Sequence, residues 1–322
     1  MKTVSRVMNA EPHVREEVRE TVLRIARELR YRPKVSARSL AGARSYQLGF
    51  LLHLVSPYAI YAQLGALRAC RASGYHLVVE AIDLAAPDLT SDMEALVNGL
   101  SVDGLILLPP VCDNQIVLKT LDIAAIPYVR VSPATVQEHS PRIEAEDAAA
   151  ARVMTGHLLD LGHRRIALIQ GPKNHAASAR RLDGFRQALA TRGLTPEPDL
   201  IQEGLFTFES GREAAARLLA LSYPPTAIFA SNDLMAFGVM AKAHELGLRI
   251  PEDVSVAGFD DIATASMVWP PLTTMRQPMA DMAAAAAEDL ISTAGKGAAG
   301  RSEGARTFTC ELVVRASTAP PR

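Results

Sequence analysis

The 322 residues, 48% of them hydrophobic, suffice for two sizeable cores plus an appendage. Cys70, Cys112 and Cys310 are far apart, odd in number and without Cys-x-x-Cys or Cys/His spacing, which argues against a disulfide framework or a zinc site and fits a reducing cytoplasm; no apolar run is long enough for a membrane span. The formal charge of −1 hides an asymmetry: residues 1–45 carry eleven Lys/Arg against five Asp/Glu, a net +6, so the rest carries −7. A basic arm on an acidic body is the pattern of a small polyanion-binding module joined to a domain that is not itself basic.

Residues 3–9 read as a short helix with Val4, Val7 and Met8 facing inward. Pro12 interrupts it. Over 15–30, Val18, Val22, Ile25 and Leu29 form one helical stripe, although no Ser, Thr, Asp or Asn marks its start. Pro33 ends this unit, and residues 34–42 follow as a linker with helical propensity and little to bury. From Tyr46 the pattern changes. Strand-like runs at 47–52, 76–82, 104–108 and 128–131 alternate with helical stretches, notably 60–73. After Gly162 the alternation restarts, with strands at 165–169, 227–230 and 255–258 and helices near 179–192, 210–221 and 234–246. An Ala-rich helix over 277–293, a Gly/Ser-rich loop over 295–304 and a final strand over 307–314 complete the chain. Short buried β-rich runs between helices predict parallel sheets covered on both faces, and two such series predict two similar α/β lobes.

No G-x-S-x-G, H-E-x-x-H, Walker A or G-x-G-x-x-G motif follows a predicted strand, and the eight histidines lack metal spacing. Asp260 and Asp261 follow a strand directly, but adjacent residues diverge and make a poor catalytic pair. Binding without turnover is the expectation: no enzyme, no cofactor, no metal. Polar residues at strand ends, namely His53, Asp147, Asn232-Asp233 and Asp260-Asp261, converge in a two-lobed α/β protein on one cleft. Their planar groups, with Arg181, suit sugar hydroxyls or a purine edge, and Phe206 and Tyr58 could supply a flat apolar wall. Asn232 and Asp233 sit just before a helix, where capping is an equally good explanation.

Several stretches together resemble the LacI/GalR family of repressors. TVSRVMN (residues 3–9) looks like its recognition helix and YRPKVSARSLAG (31–42) like its hinge. LGHRRIALIQGP (161–172), RLDGF (181–185), TAIFASNDLMAFGVM (226–240), PEDVSVAGFDD (251–261), PPLTTMRQP (270–278) and ELVVRAST (311–318) keep the family's order and spacing. The resemblance implies a two-lobed, periplasmic-binding-protein-like (type I) α/β core behind a partial helix-turn-helix headpiece. The expected divisions are a headpiece over 1–33, a hinge over 34–45, a first lobe over 46–158 with 277–305, and a second over 159–276 with 306–318. It further implies a cytoplasmic homodimer on near-palindromic operator DNA, controlled by a small effector, commonly a carbohydrate. Lys2 and Arg6 would reach base edges, Thr3 and Ser5 phosphates, and Leu40 would wedge between base steps in the minor groove. In the cleft, Arg181, Asn232, Asp260 and Asp147 match positions that hold effector polar groups, Phe206 a stacking position, and His53 and Tyr58 first-lobe positions that vary with the effector.

Two departures stand out. The first helix and turn of the motif have no counterpart before Lys2, which predicts weak, mainly nonspecific operator binding by the 322-residue chain and a motif-completing segment in the upstream codons. Ala148 stands where many relatives have Asn, which makes that part of the cleft less polar. The competing readings are an effector sensor without firm DNA binding and an exported solute-binding protein; residues 1–17 lack the apolar core of a signal peptide.

Overall fold

A computed structural model of the chain describes residues 2–8, 14–29, 44–135, 140–294 and 304–322, without the side chains of Lys2, Ser5 and Met8. The expected hinge over 34–42, with Leu40, and most of the expected loop over 295–304 lie outside the described residues.

Helices α1 (Lys2–Met8) and α2 (Glu16–Glu28) form at the N-terminus. Arg15 at the start of α2 makes no capping hydrogen bond, as its poorly marked start predicts. Of the residues expected to face inward, Val7 is buried, but Val4 is 44% exposed, as are Val18, Ile25 and Leu29 to comparable or greater degrees. The stripe is real as a helical face, yet little described structure covers it.

The body contains two six-stranded sheets. The first has the order β11 (Ala305–Phe308), β5 (Arg142–Ala145), β4 (Tyr128–Val131), β3 (Leu105–Leu107), β1 (Gln47–Leu52), β2 (His76–Ala81). All its neighbours run parallel, with Leu51 of β1 beside Leu107 of β3. The period of two in β1 divides its side chains cleanly. Leu48, Phe50 and Leu52 pack with helices α3 (Pro57–Ala72) and α10 (Met279–Thr293), whereas Leu51 joins α4 (Leu89–Gly99) and α5 (Gln115–Ile123) on the other face. Gly65 lets α3 and α10 approach closely, since a Cβ there would lie 1.8 Å from the Ala280 carbonyl oxygen.

The second sheet repeats the plan: β12 (Glu311–Val313), β10 (Thr273–Arg276), β9 (Ser255–Asp260), β8 (Ala227–Ala230), β6 (Ile166–Gln170), β7 (Ile201–Glu203). Only its β12 edge is antiparallel. Ile169 of β6 faces helices α8 (Phe208–Leu219) and α9 (Asp233–Glu245), and Ile166 and Leu168 face α6 (Asp147–Asp160) and α7 (Ala176–Ala190). Every strand run expected from the sequence forms within two residues of its expected ends, except the last.

That exception is a correction. The expected strand over 307–314 is two short strands, β11 in the first sheet and β12 in the second, because the chain changes sheet at residues 309–310. Helix α6 is a second. Its buried Ala151, Met154 and Leu158 join the second sheet's core, so the expected first-lobe limit at 158 runs through the end of a helix that belongs with the other sheet. Helices α4 and α5 fill helical stretches expected between strands without stated bounds, whereas α6 and strands β5, β7 and β10 escaped the sequence reading, the strands being only three or four residues long.

Candidate functional site

The C-terminal ends of the strands of both sheets face a shared cleft that encloses about 700 Å³ of space, part of it open to solvent. This is where open α/β sheets place ligands. Of the expected site residues, Tyr58, Arg181, Phe206, Asn232 and Asp260 line it. Asp147 stands behind Arg181, and His53 is not among the lining residues: its Nδ1 lies 2.8 Å from the Ile82 carbonyl oxygen, which ties the ring to the first sheet's edge.

Arg181 organises the floor. Its Nε donates to Asp147 Oδ1 at 2.8 Å, Nη1 to the Ser231 carbonyl, and Nη2 to Gln277 Oε1 at 3.3 Å. The guanidinium lies 3.5 Å above the Phe259 ring centroid. Burial opposes its charge, but Asp147 and Asp260 outweigh that and hold the group above the usual arginine range. Each of its nitrogens therefore already donates within the protein, and Arg181 supports the site as much as it lines it.

Asp260 is different. Strand β9 ends on it with φ +114°, in a region that L side chains rarely adopt, and Asp261 follows at φ +57°. The two carboxylates diverge, as adjacency predicts. Asp261 accepts from Arg276 Nε at 2.8 Å and Arg315 Nη2 at 2.6 Å. No hydrogen bond to the Asp260 carboxylate is found among the described residues, although the residue is only 7% exposed. Burial pushes its carboxyl up to about 7, with Arg181 lowering and Asp147 raising it.

Phe206 forms the facing wall at φ +60°. Its ring lies against Gly171, where a Cβ would come within 2.1 Å of Cζ, so a side chain there would displace the ring. The His175 ring meets it edge-on, with centroids 5.3 Å apart. Burial, then Arg181, holds His175 below the usual histidine range, which keeps it neutral near pH 7. Asn232 accepts from the Met235 N–H and donates through Nδ2 to the Phe206 carbonyl. Its amide thus caps α9 and holds Phe206 in place; the capping explanation accounts for it. Asp233 likewise accepts from Thr274 Oγ1 and the Ile262 N–H.

Sequence reasoning missed Ser132, His175 and Gln277, all of which line the cleft. Ser132 follows β4 directly and was within reach of the strand-end rule; Gln277 follows β10, a strand too short to be recognised. Around the cleft, among the described residues, the buried Ser231 Oγ and Asp147 Oδ2 make no hydrogen bond, and Tyr58 OH and Ser132 Oγ have at most each other. Burial holds the Tyr58 hydroxyl well above the usual range, so it remains a donor. Such a wall offers donors and acceptors to a hydroxyl-rich ligand. Among the described residues no group of His, Cys, Asp and Glu is placed to hold a metal ion, and no helix is long and apolar enough to cross a membrane.

Comparison with known proteins agrees with this architecture. Residues 1–34 match the model for bacterial regulatory proteins of the lacI family, and residues 155–318 that for a periplasmic binding protein-like domain. The ribose operon repressor of Haemophilus influenzae is 32% identical over 90% of this chain and 86% of its own length. Catabolite control protein A of Priestia megaterium is 35% identical over 89% of this chain and 86% of its own. Among solved structures, the transcriptional regulator CelR in complex with cellobiose superposes with a TM-score of 0.78 at 30% identity, covering 98% of this chain and 95% of that one. With an N-terminal match to the family's DNA-binding model, two doubly covered parallel sheets around one cleft, and full-length relatives that are regulators, the chain belongs to the LacI family of transcriptional regulators.

Proposed function

We propose that this protein is an operator-binding repressor whose DNA affinity is set by a sugar or glycoside held between the two sheets. The observation that carries the effector class is Asp260. A carboxylate that makes no hydrogen bond among the described residues, on strained backbone, faces the same cleft as the aromatic wall of Phe206, an arrangement suited to a ring that has hydroxyls at its edge and an apolar face. The sugar named with CelR and the sugar-operon repressors among the relatives support the same class. Arg181, Asp147, Ser132, Tyr58 and His175 complete the polar surround, while His53 acts from the rim. The relatives named above are regulators.

The rest of the reading follows the family. In it the protein works in the cytoplasm as a homodimer, and the exposed Met267 and Trp269 on the loop after β9 fit a surface that a second copy covers. The lobes divide as the family pattern implies, 46–158 with 277–305 and 159–276 with 306–318, with helix α6 packed on the second sheet. Lys2 and Arg6 reach base edges in the major groove, Thr3 and Ser5 contact phosphates, and Leu40 enters the minor groove of a near-palindromic operator.

Calorimetric titration with a panel that includes ribose, cellobiose and free nucleobases tests the reading. A sugar should bind, and Asp260→Ala should weaken it about ten- to hundredfold, the effect of losing a charged partner of a buried hydroxyl. Uptake of a nucleobase with no response to any sugar overturns the proposed class.

A further inference from the structure

Two polar ties cross from one sheet's domain to the other beside the cleft, and neither is part of the ligand-facing wall. The first joins Arg180, on α7 of the second sheet, to the first sheet: Nη2 donates to the Pro133 carbonyl at 3.0 Å and to Glu144 Oε1 at 3.2 Å. The second joins the Ala263 N–H, just past β9, to the Tyr61 hydroxyl on α3 at 3.0 Å. Each partner is next to the cleft or within one helical turn of it. Arg180 precedes Arg181, Pro133 follows Ser132, Ala263 follows Ile262, and Tyr61 lies one turn past Pro57, all of these neighbours being lining residues.

The receiving end of the first tie is unusually firm. Arg130 is completely buried, and its Nε donates to the Cys112 carbonyl and Nη1 to the Thr135 carbonyl, while Nη2 pairs with Asp113. Asp113 in turn accepts from the Ala134 N–H at 2.8 Å. This clasp fixes the segment Ser132–Thr135, and with it both a cleft-lining side chain and the carbonyl that Arg180 grips. The grip itself is incomplete. Arg142 Nε lies 3.3 Å from the same Glu144 Oε1, and among the described residues Arg180 Nη1 is buried without a hydrogen-bond acceptor. Water would satisfy Arg180 Nη1 if the sheets parted, so the seam balances the contacts of Nη2, on a carboxylate shared with Arg142, against an unmet donor on the same guanidinium. That is the energetic profile of a joint that can close or open, rather than of a permanent weld.

We propose that Arg180, gripping the Arg130–Asp113 clasp, and Tyr61 are positioning residues that tie the two domains together across the cleft and set how far it is closed. The consequence for ligand capture rests on the reading of the cleft as an effector site; the ties themselves do not. Weakening either one shifts the population toward a more open arrangement, and weakening both shifts it further.

The test is an intramolecular distance. Spin labels are placed on the full chain at Ile123→Cys and Tyr223→Cys, both well exposed, in a Cys310→Ser background, and the labelled chain is diluted into unlabelled chain so that only distances within one chain are read. Pulsed electron resonance then compares this parent with Arg180→Leu, Arg180→Lys, Tyr61→Phe and the double variant. Tyr61→Phe keeps the ring and removes only the hydroxyl, and cooperative thermal melting confirms that each variant is folded. We expect the longer-distance population to rise roughly fivefold in each single variant and more in the double one. Arg180→Lys keeps the charge and a single nitrogen that can donate to both acceptors, as Nη2 does, but on a shorter side chain, and should fall between parent and Arg180→Leu. Distance distributions that superimpose on the parent in folded variants overturn the proposal. Cellobiose and ribose serve as probes in a parallel titration: if neither binds the parent, the sugar reading fails while the distances still decide the ties.

Discussion

Asp260 combines three properties that rarely coexist in a residue kept for stability alone: a left-handed backbone, near-complete burial and a carboxylate without a hydrogen bond among the described residues. Its carboxyl is raised to about 7 chiefly by burial, against about 3.9 in the unfolded chain. Between about pH 4 and pH 7 the folded protein therefore holds a proton that the unfolded chain has released. Stability contributed by this group is full below pH 4 and declines as pH rises toward 7. In urea unfolding at pH 5 and pH 8, Asp260→Asn should lose less stability over that interval than the parent; an identical loss would show that the carboxyl titrates elsewhere. A sugar hydroxyl donates to the ionised form, so effector affinity should rise between pH 6 and pH 8 in the parent and stay flat in Asp260→Asn. Arg181→Ala makes a poorer probe of binding. With side chains 4% and 0% exposed, the Arg181–Asp147 pair is buried, and removing one partner should cost about 3–5 kcal/mol of stability, measurable as a lowered midpoint in denaturant.

Among the elements, the N-terminal helices contrast most with the rest. No residue of α2 is buried, and Val7 of α1 is the buried apolar residue of the described headpiece. A 13-residue helix with its apolar stripe largely in water lacks the packing that stabilises most protein helices. Amides of α2 should therefore exchange with solvent within seconds in the free protein, whereas those of α6 and α9, each with seven buried residues, should be protected for hours. Operator DNA should slow exchange in α2. Equal protection of α2 and α9 in the free chain would mean that the stripe is covered in solution. The same comparison bears on DNA binding: ordering this unit consumes part of the binding free energy, so affinity should be modest and steeply dependent on salt in a mobility-shift titration.

For the whole molecule, the repeated strand order of the two sheets and the crossings between them mean that any displacement of one domain is felt at the cleft, at residues 277–278 and at 309–310. Trp269 is 90% exposed on the loop that follows β9, a few residues from Ile262 in the cleft wall. As a buried aromatic anchor of a homodimer, it would make Trp269→Glu weaken self-association by at least about 2 kcal/mol, read as a shift to monomer in sedimentation velocity. A chain that sediments identically with and without Trp269 places the dimer surface elsewhere.

The sequence by itself determined the two-series α/β plan, because buried parallel strands must be written as short apolar runs, and Leu48–Leu52, Tyr128–Val131 and Ala227–Ala230 are such runs. It also marked a strand end with Asp260, connecting segments with Tyr58 and Phe206, and Arg181, and these four line the same cleft. It could not reveal that Asn232 is engaged in a cap and in holding Phe206, or that His53 bonds to its own sheet edge, since those outcomes depend on partners 26 and 29 residues away. Nor could it place α6 with the second sheet or split the last strand, because both facts concern which of two similar cores a segment joins. Periodicity records that a face is buried. Only the tertiary structure decides against what.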